Sequence, residues 1–222
     1  MIAAFDVPSS PALARGIQDR LRSRVVRRGS PRWKLVAGLD VSERGDEARA
    51  AIVVLDRDLR LVEEAVAATR VPFPYIPGLL SFREIPPLLE AWKKLRCRPD
   101  LVVVDGQGYA HPRRFGLACH LGVTLDVPSI GCGKTRLLGA YEEPAPARGS
   151  WTPLEDAGET VGAALRTRTG ARVVYVSVGH RISLAAAVEA VLAGAPRFRL
   201  PEPQRLADRL SKRAWTSSVS SS

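Results

Sequence analysis

Three segments near the start of the chain have the pattern of adjacent strands. Residues 36–42 and 50–55 are largely apolar and are separated by a charged segment that contains Gly45. Apolar runs of this length on either side of a polar turn predict an antiparallel hairpin. Residues 61–69 can add a third strand to the same sheet.

Residues 101–104 (LVVV) are apolar without any polar alternation and lead directly into Asp105. Such a run predicts a central strand that is buried on both faces. Asp105 then lies at the carboxyl edge of the sheet, where ligands gather in open α/β folds. The later run at 173–178 has the pattern of a further strand in an α/β fold.

The first 34 residues are predicted to form a helical arm that packs on the core. Ser10 has the position of an N-cap, and Pro11 that of the first helical residue. The predicted apolar stripe consists of Leu13, Ile17, Leu21 and Val25. The arginines around it either contact phosphate groups or form an ordinary solvated face.

The 222 residues fit a single domain, and no change of composition marks a linker between about residues 35 and 200. There are 33 Lys and Arg against 23 Asp and Glu, so the net charge is +10. This charge favours a polyanionic partner, although a coding bias towards arginine would explain it equally well. Residues 216–222, rich in serine, are predicted to be disordered.

The chain has no apolar run near the ~20 residues that a membrane helix needs, and Asp6 and Pro8 interrupt its N-terminus. We therefore expect a cytoplasmic protein. Its three cysteines are odd in number and include no Cys-x-x-Cys pair, so we expect neither disulfides nor structural zinc.

Four acidic residues, Asp40, Glu84, Asp105 and Asp208, are the candidates for chemistry. Asp40 interrupts an apolar strand, where an unpaired charge costs several kcal/mol unless a partner such as a divalent cation neutralises it. An Asp before glycine can instead simply begin a turn, and Asp208 can belong to a surface helix with alternating charge.

Glu84 has two interpretations. With Ser81 it forms a Ser-x-x-Glu pattern, which is typical of a helix cap. Pro86 and Pro87 cannot donate hydrogen bonds inside a helix, so we expect the helix to begin near Pro86 and Glu84 to lie just outside it.

Two motifs resemble nucleotide-binding loops but lack required glycines. Residues 105–111 (DGQGYAH) have His111 where a dinucleotide fingerprint has its third glycine, and Pro112 follows. Residues 128–135 (PSIGCGKT) end like a P-loop but begin with proline. We expect no nucleotide cofactor.

Four motifs together resemble the endonuclease V family, also called deoxyinosine 3′ endonucleases. They are PYIPGLLSFRE at 74–84, VDGQGYAHPRRFG at 104–116, DVPSIG at 126–131 and LPEP at 200–203. The resemblance runs from about residue 35 to residue 208 in the family's order and spacing. It implies an RNase H-like mixed sheet flanked by helices in one domain, residues 35–215.

The resemblance also implies a metal site. Asp40, Glu84 and Asp105 take the family's metal-binding and catalytic positions, Asp208 takes a fourth ligand position, and one or two Mg²⁺ ions, with Mn²⁺ as a substitute, are the expected cofactor. Lys134 is expected to stabilise charge on the phosphate, unless it only bonds a backbone carbonyl.

Recognition of the base is expected from two sets of residues. A stiff, exposed loop would act as a wedge between stacked bases, through Tyr75, Ile76, Pro77, Gly78 and Leu80, unless it is a packed lid. Backbone groups at Gly106, Gly108 and Gly131 would bind hypoxanthine. His111 and His180 either contact phosphate or support the acidic cluster, unless they are structural.

The resemblance implies a DNA repair enzyme that cuts the second phosphodiester bond 3′ to deoxyinosine in DNA, leaving a 3′-hydroxyl and a 5′-phosphate. We expect the protein to be a monomer. Two alternatives remain open: an inosine-specific endoribonuclease acting on RNA, and a non-catalytic basic module that binds nucleic acid.

Overall fold

The protein is described by a computed structural model over residues 5–213 and residue 215. Its strands are β1 Val36–Arg44, β2 Glu47–Leu55, β3 Leu61–Arg70, β4 Leu101–Val104, β5 Ser129–Gly133, β6 Trp151–Asp156, β7 Glu159–Leu165 and β8 Val174–His180. Its α-helices are α1 Pro11–Leu21, α2 Leu80–Lys93, α3 Leu117–Leu125, α4 Leu184–Gly194 and α5 Glu202–Arg213.

All eight of these strands form one sheet in the order β3-β2-β1-β4-β5-β8-β7-β6. Strand β4 is parallel to its neighbours β1 and β5, whereas the other pairs are antiparallel. The predicted hairpin is β1–β2, and β3 extends it. The RNase H-like mixed sheet in a single domain is therefore confirmed.

Helices cover both faces of the sheet. The first face carries Val102 and Val104 of β4, which pack in one apolar cluster with residues of α2 and α3. The opposite face carries Leu101 and Val103, which pack with residues of α4 and α5. The lack of polar alternation in β4 follows from this arrangement, because both of its faces are buried.

Helix α2 begins earlier than the prolines predict. It starts at Leu80 and includes Pro86 and Pro87, so Glu84 lies inside the helix, which corrects the sequence prediction. An interior proline costs about 3 kcal/mol. Burial of the apolar face of α2 at about 1.5–3 kcal/mol per large side chain offsets that cost. This face consists of Ile85, Leu88, Leu89 and Trp92.

The capping alternative for Glu84 is also not realised. The N-cap position of α2 is Leu79, without a side-chain hydrogen bond. The Ser81 hydroxyl instead lies 3.0 Å from Nδ1 of the buried His120 in α3.

Helix α1 starts as predicted, with Pro11 first and the Ser10 hydroxyl accepting a hydrogen bond from the Leu13 amide. Its buried face differs from the predicted stripe. Ala14 and Gln18 are buried, whereas Leu13 is 56% exposed, and the helix ends before Val25. The reason is that Ala14 packs against the loop before α2 rather than against the sheet.

The boundary between arm and core near residue 34 stays a prediction. The tail at 216–222 lies outside the residues that the structure describes. Among the helices of the described part, none has both the length and the apolar character of a membrane span.

A candidate metal centre and the adjoining cavity

Three acidic side chains meet at the carboxyl end of β4. Strands β1 and β4 are parallel with Leu39 opposite Val104, so Asp40 and Asp105 follow side by side at one edge of the sheet. Asp208 reaches the same point from α5. One carboxylate oxygen from each of these three residues lies within 4.8 Å of the other two.

Helix α5 reaches this edge because its entrance crosses β1 very closely. A Cβ atom on Gly38 would lie 1.9 Å from the Pro203 carbonyl oxygen, so only glycine permits the crossing. Nearby, the side-chain amide of Gln204 donates to the Cys132 carbonyl of β5 at 3.0 Å. These two contacts fix α5 against the sheet, and Asp208 follows within two turns.

Asp40 is held by its own hydrogen bond. The Ser211 hydroxyl of α5 donates to Asp40 Oδ2 at 2.6 Å. Burial raises the pKa of Asp40 to about 6, against the lowering effect of the Ser211 bond, and the charges of Asp208 and Asp105 raise it further. The carboxylates therefore repel one another at a partly desolvated position.

Glu84 faces the same cluster from α2. Burial raises its pKa well above the ordinary value, and the charges of Asp40 and Asp105 add to this effect. Within the described residues, no hydrogen bond or ion pair engages its carboxylate. Its surroundings leave it available as a further oxygen ligand.

Lys134 follows β5 and supplies positive charge at this edge. Its ammonium group pairs with Asp105 Oδ2 and lies 3.7 Å from Asp208 Oδ1. Burial alone would lower the pKa of Lys134, but the bond to Asp105 and the acidic neighbours raise it. The Arg199 guanidinium donates to the Lys134 carbonyl at 2.9 Å and holds this segment. The Lys134 side chain therefore contacts carboxylates, and the alternative of a bond to a backbone carbonyl alone is not observed.

The donor set fits a divalent cation. Carboxylate oxygens are the ligands that Mg²⁺ and Ca²⁺ prefer. Burial raises the pKa values of Asp40 and Glu84, and the neighbouring carboxylates raise them further, so a cation at this position would stabilise the ionised side chains. The acidic cluster can therefore hold a metal ion.

A cavity of about 420 Å³ adjoins the cluster. Its floor contains Asp105, Gly106 and Gln107, and one wall is the segment from Lys134 to Leu137. The other wall contains the predicted wedge residues Tyr75, Ile76, Pro77, Gly78 and Leu80. A cavity of this size is adequate for a small ligand such as a nucleobase.

The wedge loop is a defined turn. The Leu79 amide donates to the Ile76 carbonyl at 2.9 Å, and Gly78 has a φ of +78°. Pro77 and Gly78 occupy the two central positions of a type II turn, which requires a positive φ at the second of them. Tyr75 before this turn is 69% exposed, so the loop is not a packed lid at its aromatic residue.

The three glycines predicted for the base pocket differ in their position relative to the cavity. Gly106 lines the cavity, but Gly108 and Gly131 do not. The Gly108 amide donates to the buried Ser177 hydroxyl at 2.8 Å, and a Cβ on Gly131 would lie 2.5 Å from the Gly108 nitrogen. Both glycines therefore serve close packing of the loop after β4.

The sequence did not single out Gln107 and Gly133, which do line the cavity. The side-chain amide of Gln107 donates to the Thr135 carbonyl at 3.0 Å and so joins the floor of the cavity to one of its walls. A Cβ on Gly133 would lie 2.4 Å from that amide nitrogen. No pattern in the sequence could have identified this contact.

The two candidate histidines differ in position. His111 is buried beside the cavity, 3.0 Å from the Gly78 carbonyl oxygen, and burial lowers its pKa to about 4. His180 pairs in register with Ser129, at the end of β5 opposite Lys134. It accepts a hydrogen bond from the Val26 amide. The structure therefore places His180 at the end of β5 that lies away from the acidic cluster.

Known proteins resemble this chain over almost all of its length. A family model described as Endonuclease V matches residues 19–209. The Endonuclease V of Roseiflexus sp. (strain RS-1) is 52% identical over 215 residues, which cover 95% of this chain and 97% of that protein.

Solved structures of Endonuclease V proteins also resemble this chain. The crystal structure of Endonuclease V from Streptomyces avermitilis matches with a TM-score of 0.92 at 47% identity and covers 96% of each chain. Endonuclease V of Ciona intestinalis, in complex with a 24mer DNA containing an inosine followed by a ribo-adenosine, matches with a TM-score of 0.80 at 25% identity. That match covers 93% of this chain and 98% of the other.

Burial of the Asp40 carboxylate, together with repulsion from Asp208 and Asp105, predicts that Asp40→Asn stabilises the metal-free protein. An aspartate in an unfolded chain has an ordinary pKa of 3.8, whereas the pKa of Asp40 in the folded protein is about 6. Between these pH values, the folded protein keeps a proton that the unfolded chain loses. The free energy of unfolding therefore falls as the pH rises through this window. At pH 8, with a chelator present to remove metal ions, we expect Asp40→Asn to raise the free energy of unfolding by about 1–3 kcal/mol.

Urea unfolding at pH 4 and pH 8 measures this effect, and we expect the gain to be absent at pH 4. Added Mg²⁺ should stabilise the wild-type protein more than Asp40→Asn. Asp58→Asn, at an exposed carboxylate paired only with Arg60, is the matched control and should change little. A loss of stability in Asp40→Asn at pH 8 would contradict the electrostatic account.

Proposed function

Since this chain belongs to the endonuclease V family of nucleases, we propose that it is a Mg²⁺-dependent endonuclease that recognises deoxyinosine in DNA. It hydrolyses the second phosphodiester bond on the 3′ side and leaves a 3′-hydroxyl and a 5′-phosphate. The observation that carries the proposal is the juxtaposition of the acidic cluster, Lys134 and a cavity rimmed by an exposed aromatic loop. The product of this reaction would open a path for repair of deaminated adenine.

The carboxylates of Asp40, Glu84, Asp105 and Asp208 would hold the metal. When bound, Mg²⁺ supplies Lewis-acid stabilisation of charge on the phosphate. Asp40 must be deprotonated to act as a ligand, and Ser211 orients its oxygen for that purpose. In the reaction, water attacks phosphorus, the bond from phosphorus to the 3′ oxygen breaks, and that oxygen gains a proton.

Lys134 is assigned to the phosphate. Its ammonium group already lies at the carboxylate edge, where it pairs with Asp105. A positive charge held at this position can stabilise the additional negative charge that develops on the phosphate oxygens. The Arg199 contact to the Lys134 backbone keeps the group in place.

The cavity is assigned to the extruded base. Hypoxanthine has a carbonyl where adenine has an amine, so a backbone amide on the cavity floor, such as that of Gly106, can favour it. Extrusion costs a few kcal/mol and is cheapest for a weakly paired base, which adds selectivity. Tyr75 and Ile76 would fill the vacated space in the stack.

The partner is inosine-containing nucleic acid. A net charge of +10 favours such a polyanion, and the Ciona intestinalis relative is seen with inosine-containing DNA. The ribo-adenosine that follows the inosine in that complex favours an inosine-directed ribonuclease as the second candidate. We propose that the protein acts as a monomer and that Mn²⁺ can replace Mg²⁺.

Nicking of an end-labelled duplex with one deoxyinosine tests the proposal. We expect a single Mg²⁺-dependent product cut at the second phosphodiester 3′ to the lesion. Asp105→Ala should lower the nicking rate by at least about a hundredfold, because a ligand of the metal is lost, while much of the binding is retained. Glu90→Ala, at an exposed carboxylate of α2, is the control and should cut normally.

Salt-sensitive binding without any Mg²⁺-dependent nicking would indicate the non-catalytic module instead. Normal cutting by Asp105→Ala would remove this cluster from the chemistry.

Matched DNA and RNA strands that each carry one inosine separate the two candidate substrates. We expect faster single-turnover cleavage of the DNA strand by the wild-type protein. A mixed strand with a ribonucleotide only after the inosine serves as the intermediate case. Faster cleavage of the all-RNA strand would reverse the assignment.

Tyr75→Ala tests the wedge. The ring is exposed and contributes little to the core, so the melting temperature should change little. Loss of stacking, worth about 1–3 kcal/mol per base, should lower the ratio of inosine to undamaged-DNA cleavage by roughly tenfold. Trp151→Ala, at another exposed aromatic, is the matched control. An unchanged ratio in Tyr75→Ala would disprove the wedge.

A further inference from the structure

The Gly78 carbonyl oxygen at the base of the wedge turn is the meeting point of three donors. Gln18 Nε2 lies 3.0 Å from it, His111 Nε2 3.0 Å and Arg113 Nη2 2.7 Å. The carbonyl can only accept, so His111 must carry its proton on Nε2. Its Nδ1 then accepts from the Arg113 amide, as the distance of 3.2 Å shows.

Gln18 is the least expected of these donors, because it comes from α1, sixty residues earlier in the chain. Its side chain is 1% exposed. Beyond Gly78, its amide nitrogen donates to the Phe115 carbonyl at 3.2 Å, and its Oε1 accepts from Arg113 Nε at 2.5 Å. Both amide hydrogens and the amide oxygen are thus engaged, which fixes the orientation of the group.

A buried amide is unnecessary if α1 only needs to pack on the core. Ala14, one turn earlier in the same helix, already packs in one apolar cluster with Phe73, Leu79 and Phe82. Burying a polar group costs free energy unless all of its hydrogen bonds are made. Gln18 lies in the lining of the cavity, and its bonds lead to the wedge turn, to Arg113 and to Phe115.

We propose that Gln18 is a positioning residue that holds the wedge turn in the conformation that presents Tyr75, so that α1 takes part in recognition of the substrate. The functional part of this inference rests on the proposed wedge function. A loop that is already ordered before binding loses less entropy when its aromatic ring enters the base stack. Removal of the Gln18 bonds would leave the cluster and the sheet in place but would loosen the turn.

The first test needs no substrate. Hydrogen exchange of the free protein should show faster exchange in residues 72–80 of Gln18→Leu, on the order of tenfold, with unchanged exchange in β1 and β4. Gln18→Asn, whose shorter side chain cannot reach both carbonyls, should give the same pattern if the leucine variant folds poorly. Leu13→Ala, on the exposed face of the same helix, is the control and should resemble the wild type.

The second test is a double-mutant cycle on the ratio of inosine to undamaged-DNA cleavage. Gln18→Leu alone should lower this ratio by about tenfold. In a Tyr75→Ala background the same substitution should have little further effect, because the ring that it positions is gone. A merely structural role would lower activity by the same factor in both backgrounds.

Unchanged exchange of residues 72–80 in both Gln18 variants would overturn the inference, and so would equal effects in the two backgrounds. Failure of the proposed function is distinguishable. The wild-type protein would then not nick at inosine at all, while the exchange experiment would still report whether Gln18 holds the turn.

Discussion

Repulsion among carboxylates at one edge of the sheet is the constraint on which the structure depends. Asp40, Asp105 and Asp208 come within 4.8 Å of one another, and Glu84 faces them from α2. Such a cluster destabilises a metal-free fold, because burial and like charge both oppose ionisation. The surrounding structure must therefore be rigid enough to keep the acids together. The sheet meets this demand because both faces of β4 are covered and its neighbours are fixed in register.

Close approach of backbone segments is the second requirement, and glycines provide it. Gly38 lets the entrance of α5 cross β1, and Gly131 lets the loop after β4 lie against β5. These contacts bring Asp208 and Gly106 to the same edge. Glycine here is an architectural residue, so its presence near a site does not indicate contact with a ligand. Polar side chains also line the cavity, among them those of Gln107, His111 and Lys134.

The sequence predicted those features that depend on local pattern. The hairpin, the buried β4 strand and the Ser10 cap follow from runs and caps, and the resemblance to a family placed the acids. Features set by tertiary packing were missed. Helix α2 extends through two prolines because its buried face outweighs their cost, and α1 turns Ala14 rather than Leu13 inwards because its partner is a loop. In the sequence, His180 and His111 both lie near the ends of predicted strands. Only the register of the sheet shows that His180 lies at the far end of β5.

The N-terminal helix connects the two halves of the site. The acidic cluster depends on strand register, which the sheet fixes, but the wedge turn lies outside the sheet and needs separate support. Pro77 and Gly78 limit its conformations, and the Gly78 carbonyl joins it to α1 and to the loop after β4. That loop also carries Gly106 and Gln107 to the cavity floor. Gln18 and Arg113 tie the wedge wall to α1 and to the loop after β4, and the Gln107 side chain ties that loop to the opposite wall at Thr135. Walls that are joined in this way before a ligand arrives lose less entropy on binding than free loops would.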